Sequence, residues 1–214
     1  MASVVASGDE TSLQGGPLLL SLLHVLGPAA ECAPVQDGYE LRRLDVAAVS
    51  AEPGAAAALD AWGEYSGSEQ GLSRPVTVSS KLAAEGGAPA VYVLLAVGET
   101  GPTAVVGLCK TGARHLFLRD ATGAFVEADL RCILDVVVHA SFRRRGVGLR
   151  LLEAAARSDG TRLADMGIDR PSAAMRSLLS RRLPSAFGHV IEQDCRFWVS
   201  SAVIAGAGGK AARR

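Results

Sequence analysis

The stretch CILDVVVHASFRRRGVGLRLLEAAAR, residues 132–157, decides how the rest of the chain is read. Cys132–His139 is almost wholly apolar and β-branched, the composition of a central strand buried on both faces. Leu149–Arg157 consists of strong helix formers with an apolar stripe. Between them stand Arg143, Arg144 and Arg145, then Gly146, Val147 and Gly148. The first amides of a helix have no intrahelical acceptor and carry partial positive charge. Glycines let an anion approach those amides, and arginines add charge and forked donors. Strand, basic glycine loop and helix start together predict a pyrophosphate site. It is not a Walker loop, because G-x-x-x-x-G-K-[ST] is absent, and a dinucleotide fingerprint would need glycine where Leu151 stands. An arginine triplet alone is more often a solvated turn or a nucleic-acid contact. The strand before it and the helix after it reverse that reading.

Working outward, Met166–Asp169 reads as a short strand and Ser172–Arg182 as a helix opened by Pro171 and closed by Pro184. Phe197–Ile204 reads as a last strand. Upstream, Val91–Val97, Thr103–Lys110, Arg114–Arg119 and Phe125–Ala128 form a β-biased block punctuated by turn residues, an antiparallel meander. Ala-rich Val46–Tyr65 is helical with an interruption at Pro53–Gly54, and Gln70–Lys81 is a mixed segment expected to end in a short strand. The expected fold class is α/β (α+β), a mostly antiparallel mixed sheet flanked by helices.

A chain of 214 residues with 49% apolar composition has room for one domain with a real core. Residues 1–34 are expected to be a variable or partly ordered segment, 35–204 the domain, and 205–214 a flexible tail. Net charge is zero, which argues against a nucleic-acid electrode. It is unevenly spread: residues 1–100 hold 4 basic and 12 acidic side chains, whereas 141–182 hold 10 arginines and 4 acids. A polyanion should therefore dock on the C-terminal part. Cys32, Cys109, Cys132 and Cys195 are scattered, which predicts neither a zinc site nor a disulfide scaffold and suits a reducing compartment. The apolar run Pro17–Leu26 is about half the length of a spanning helix and has no basic residue before it, so it reads as a core-packing segment of a soluble protein.

Arg143–Gly148 resembles the R-x-x-G-x-G/A motif of the GNAT acetyltransferase superfamily. The flanking residues narrow the resemblance. They are Cys-Ile-Leu-Asp at 132–135, His139 and Ser141 before the motif, and Ile-Asp-Arg-Pro-Ser at 168–172 after it. Lys110, Thr111-Gly112, Leu116-Phe117, Asp120, and further up Gln70, Leu72, Ser73 and Pro75 complete the pattern. In this order the chain resembles the α-tubulin N-acetyltransferase family over roughly residues 60–204. Residues 1–59 match that pattern poorly.

The resemblance implies a GNAT-like fold. It also implies acetyl transfer from acetyl-CoA to the ε-amine of a lysine in a luminal loop of α-tubulin. By position, Val136, Val137 and Val138 would meet the acetyl and pantetheine arm and Arg143 through Leu149 (Arg143, Arg144, Arg145, Gly146, Val147, Gly148, Leu149) the pyrophosphate. Ser172, Met175 and Arg181 would line the adenosine side. Asp169 and Cys132 match the family's candidate catalytic pair, and Gln70 a glutamine associated with activity. A carboxylate is a weak base at neutral pH, so Asp169 would act through a water or orient the cationic lysine; as a plain structural residue it would be a helix cap. Cys132 as a plain structural residue is a core filler, and Gln70 an exposed loop residue. His139 reads as structural. The partners implied are α-tubulin in microtubules and acetyl-CoA, for a cytoplasmic, cytoskeletal monomer, cilium or flagellum included. Neither nucleic acid, membrane nor metal is expected. The competing readings are a GNAT enzyme for another lysine or small amine, and a catalytically silent microtubule-binding module.

Overall fold

The computed structural model describes residues 16–28, 32, 35, 38–188, 190, 193 and 196–211. Part of the expected N-terminal segment, His189, Cys195 and residues 212–214 lie outside the described residues.

The apolar run near the start forms α1 (Gly16–Leu23), with Leu19, Leu22 and, just beyond, Val25 buried. No helix among the described residues is long and apolar enough to cross a membrane. A short strand not foreseen from the sequence follows, β1 (Tyr39–Arg43). Asp45 caps α2 (Val46–Ala51), its carboxylate accepting from the Ala47 and Ala48 amides at 2.9 and 3.1 Å. Pro53 divides the Ala-rich segment and opens α3 (Pro53–Glu69), whose inward face buries Ala58, Leu59 and Trp62.

The expected strand before Lys81 is instead a helical turn, α4 (Ser79–Leu82). The cause is tertiary. Asp60 of α3 accepts from the Ser79 amide and hydroxyl at 2.7 and 2.9 Å and satisfies the donors a helix start exposes. This segment also presses on α3: a Cβ at Gly63 would stand 2.0 Å from the Thr77 carbonyl oxygen, so only glycine permits the approach.

Three long strands form the middle of the sheet: β2 (Ala90–Gly98), β3 (Gly101–Arg119) and β4 (Phe125–Val138). The sequence signals at Thr111–Gly112 and around residue 130 do not end strands; β3 and β4 run through them. After α5 (Val147–Ser158) come β5 (Gly167–Asp169), α6 (Ala173–Arg182), α7 (Pro184–Phe187), β6 (Phe197–Trp198) and α8 (Ser201–Ala211). The sheet order is β1-β2-β3-β4-β5-β6, antiparallel throughout except for the parallel β4–β5 pair. Helix α5 supplies the crossover that a parallel pair needs. The mixed, mostly antiparallel architecture read from the sequence is the one present.

Two expectations at the C-terminal end are corrected. Strand β6 stops at Trp198, and the chain turns into α8 with the Ser200 hydroxyl accepting from the Val203 amide at 3.4 Å. The boundary expected after Ile204 therefore falls inside a helix, and residues 205–211 are helical rather than a tail. Ile204 is buried against Leu116, Leu118 and Val199, a cluster that a strand edge would leave open.

One irregularity sets up the site. The β3–β4 register steps from Lys110↔Asp135 to Thr111↔Ile133, so Leu134 is an extra, bulged residue. Ile133 and Val136 consequently pack on the α5 side, although strict alternation would place them on opposite faces. Asp135 turns instead to α3.

Candidate active site

Strands β4 and β5 pair only at Cys132↔Gly167 and Ile133↔Ile168. Beyond these β4 runs on to Val138 without a β5 partner. A cleft of about 780 Å³ opens there. Val136, Val137 and Val138 line it from β4, and Arg143, Arg144, Gly146, Val147, Gly148 and Leu149 from the loop and first helical turn. Ser172, Met175 and Arg181 line it from the α6 side. Every residue expected at the cofactor lines this cleft except Arg145, which is exposed. Three adjacent residues cannot all turn the same way. Glu69, Leu152, Ala174, Leu178 and Arg182 line the cleft without having been foreseen.

The basic loop is held in a shape that frees its amides. Gly146 lies in the left-handed region at φ +77° and precedes α5 without any side-chain cap. The first bond into the helix runs from Arg150 N–H to the Gly146 carbonyl at 3.3 Å, so the Val147, Gly148 and Leu149 amides are left for an anion. Arg143 lines the cleft and is also tied to its neighbours. Its Nε donates to the Val138 carbonyl at 2.8 Å, and its Nη2 to the Tyr65 hydroxyl at 3.1 Å and to Glu69 at 2.5 Å. Tyr65 also accepts from the Ala140 amide at 3.0 Å and stacks on His139. Arg143 thus ties the end of β4 to α3, and buried His139 is structural, as expected.

A smaller cavity of about 50 Å³ adjoins the cleft and shares Gln70, Val136, Ser172 and Met175 with it. Asp169 and Arg170 line this cavity. The Asp169 side chain is 19% exposed and accepts from Arg170 Nε at 3.1 Å. Gln70 follows the last turn of α3 and donates from Nε2 to Asp135 Oδ1 at 2.9 Å and Ser66 Oγ at 2.8 Å. Asp135 was not singled out from the sequence. A lone acid inside the otherwise apolar run Cys132–Val138 was the available signal, because a buried carboxylate must be met by donors.

Cys132 lies apart from both cavities. It is fully buried among Leu116, Leu118, Leu134 and Val199. Burial pushes its thiol up to about 12, against a small opposing pull from the Gly167 amide. Among the described residues no cluster of His, Cys, Asp and Glu could hold a metal ion.

The sequence family described as "GNAT acetyltransferase, Mec-17" matches residues 35–203. The chain belongs to this family. Among relatives of the family, an α-tubulin N-acetyltransferase of Phytophthora infestans is 32% identical over 114 residues, which cover 53% of this chain and 64% of that protein. An α-tubulin N-acetyltransferase 1 of Drosophila melanogaster is 37% identical over 126 residues, covering 58% of this chain and 27% of that protein. The chain thus spans less than two thirds of either relative's length. Among solved structures, the xEco2 acetyltransferase domain bound to a K105-CoA conjugate is 14% identical, with a TM-score of 0.42 over 69% of this chain and 89% of that one.

Proposed function

We propose that the protein transfers the acetyl group of acetyl-CoA to the ε-amine of a lysine, the lysine lying in the luminal loop of α-tubulin. The observation that carries this reading is the meeting of an anion-binding cleft with a small carboxylate-bearing cavity at Gln70, Val136, Ser172 and Met175. The cleft has the size of a site for a large cofactor, and its lining suits coenzyme A. The free amides of α5, with Arg144, Arg181 and Arg182, would take the phosphates. The open edge of β4 would meet the pantetheine arm, and a free N–H there would polarise the acetyl carbonyl. The names of the α-tubulin N-acetyltransferase relatives support the substrate and a place on the cytoskeleton. Action as a monomer, in the cilium or flagellum too, belongs to the same proposal.

The chemistry sets what the residues must do. An ordinary lysine has a pKa of about 10.4, so a proton must leave before the nitrogen can attack. Asp169 receives the ammonium in the small cavity and passes its proton to solvent, directly or through a water. The nitrogen then bonds to the acetyl carbon and gives up a second proton to solvent, the carbon–sulfur bond breaks, and the electron pair leaves on the thiolate, which takes a proton from solvent. Cys132, a buried neutral thiol outside both cavities, takes no part in the proton path and fills the core.

The test is transfer from labelled acetyl-CoA to polymerised tubulin by wild type and Asp169→Asn. Label on α-tubulin with wild type, and little with the variant, supports substrate and carboxylate together. A folded wild type that binds acetyl-CoA, seen as a raised Tm, yet labels no tubulin defeats the tubulin reading.

A further inference from the structure

Asp135 sits at the bulge of β4 with 7% of its surface exposed. A carboxylate only accepts hydrogen bonds. Ser66 Oγ donates to its Oδ1 at 2.7 Å, Gln70 Nε2 to the same oxygen at 2.9 Å, and Thr77 Oγ1 to Oδ2 at 2.6 Å. Gln70, the residue that ends α3, lies one helical turn past Ser66 on the same side, whereas Thr77 arrives on the segment pressed against Gly63.

The proton arrangement in this cluster has one solution. Ser66 gives its only hydrogen to Asp135, so its oxygen can only accept, and it does so from Gln70 Nε2 at 2.8 Å. Both hydrogens of the Gln70 amide nitrogen are thereby used. The reversed amide would set its carbonyl against a carboxylate and a serine lone pair. Among the described residues the Gln70 carbonyl oxygen Oε1 has no hydrogen-bond donor, and Gln70 lines both cavities.

We propose that Asp135, with Ser66 and Thr77, is the positioning device of this site: it locks Gln70 so that its carbonyl alone faces the junction of the two cavities and accepts a hydrogen bond from the incoming lysine nitrogen. The proposal rests on the acetyl-transfer reading. A neutral carbonyl does not take the proton. It holds one N–H of the deprotonated amine, which leaves the lone pair free to point at the acetyl carbon. It also discriminates chemically. An amine that has lost its extra proton still has N–H groups to donate, whereas a hydroxyl that has lost its proton has none. The site therefore selects primary amines over alcohols.

The experiment is a double-mutant cycle: Asp135→Asn and Ser66→Ala, each alone and combined with Gln70→Ala. Asp135→Asn should lower kcat about tenfold or more, leave KM for acetyl-CoA within about twofold, and add nothing once Gln70 is alanine. Ser66→Ala should lower kcat about threefold, again only while Gln70 is present. Losses that persist in the Gln70→Ala background, or that fall on KM for acetyl-CoA, overturn the proposal in favour of a purely structural role. Should Asp135→Asn fail to fold, the Ser66→Ala cycle decides alone. A second readout needs no activity. The Gln70 side-chain NH2 resonances, assigned by their disappearance in Gln70→Ala, should exchange slowly with solvent in wild type and quickly in Ser66→Ala. Fast exchange in wild type refutes the lock. Slow exchange in an enzyme that acetylates no amine refutes the acetyl-transfer reading and the lysine-facing role, while the lock itself stands.

Discussion

Asp169 and Arg170 are adjacent in sequence and paired in space: Arg170 Nε lies 3.1 Å from Asp169 Oδ1, and the Arg170 backbone is held at φ +40°. An arginine in the left-handed region is strained. Here a hydrogen bond from its amide to the Arg196 carbonyl at 3.1 Å holds it there. The guanidinium covers the carboxylate that the proposed lysine must reach. Asp169→Asn should lower kcat by about a hundredfold or more, the usual reach of a lost proton acceptor. Arg170→Gln should uncover the carboxylate. An exposed pair is worth only ~0.2–1 kcal/mol, so KM for the acceptor lysine should fall by at most about fivefold, with KM for acetyl-CoA unchanged. Steady-state kinetics on both substrates check this; a raised acceptor KM would instead make Arg170 a substrate contact.

Gly146 should be sensitive for backbone reasons alone. No atom lies within 4 Å of where its Cβ would be, yet its φ is +77°. Gly146→Ala should therefore cost about 1–2 kcal/mol of stability without any clash. It should also weaken acetyl-CoA binding by re-aiming the first amides of α5. Denaturant melts and calorimetric titration read the two effects separately.

Cys132 should be replaceable without loss of chemistry. Its thiol is held up at about 12 from an ordinary 9.0, chiefly by burial. It is neutral throughout the physiological range, and Cys132→Ala should leave the pH dependence of kcat between pH 6 and 9 unchanged in shape. The same shift bears on stability. A group whose folded pKa is raised contributes fully below its ordinary value and loses that contribution as pH climbs toward the folded value. Wild type should therefore lose stability between about pH 9 and 12, and Cys132→Ala should lose it less steeply over that window.

Lys110 is 3% exposed, 2.5 Å from Glu85, and donates to the Val76 carbonyl at 3.1 Å. Removing the carboxylate strands a buried ammonium, so Glu85→Gln should destabilise by about 3–5 kcal/mol, whereas Lys110→Met should cost less, because Glu85 is 23% exposed and keeps Arg114 as a partner at 2.7 Å. Burial raises the Glu85 pKa, but hydrogen bonds from Lys110 and Arg114 outweigh it and leave the carboxyl below its ordinary 4.5. A depressed pKa contributes stability above the ordinary value and loses it as pH falls below. Lys110→Met should accordingly soften the acid limb of a stability–pH curve below about pH 4.5.

What could be read locally was read well. The strand, basic loop and helix of residues 132–157 stand where their composition puts them, and the cleft-lining residues follow from that local order. Ambiguity entered where an apolar run suits either period. Phe197–Ile204 could be strand or helix by pattern, and the chain divides it between a two-residue β6 and the start of α8. The bulge at Leu134 was invisible because Cys132–Val138, apolar but for Asp135, has too little alternation to break. Arg145 looked equivalent to Arg143 and Arg144 until the loop acquired a direction.

The proposed phosphate end was legible in the sequence, since the amides, glycines and arginines that build it are consecutive and a helix start presents them without outside help. The proposed acceptor end came into view only with the tertiary structure. Asp135 meets Ser66 and Thr77 across 69 and 58 residues, and Asp169 reaches the same cavity on another strand. Whether those groups converge depends on how α3 seats on the sheet and on one bulged residue turning Asp135 to face it, and neither leaves a periodic trace in the chain.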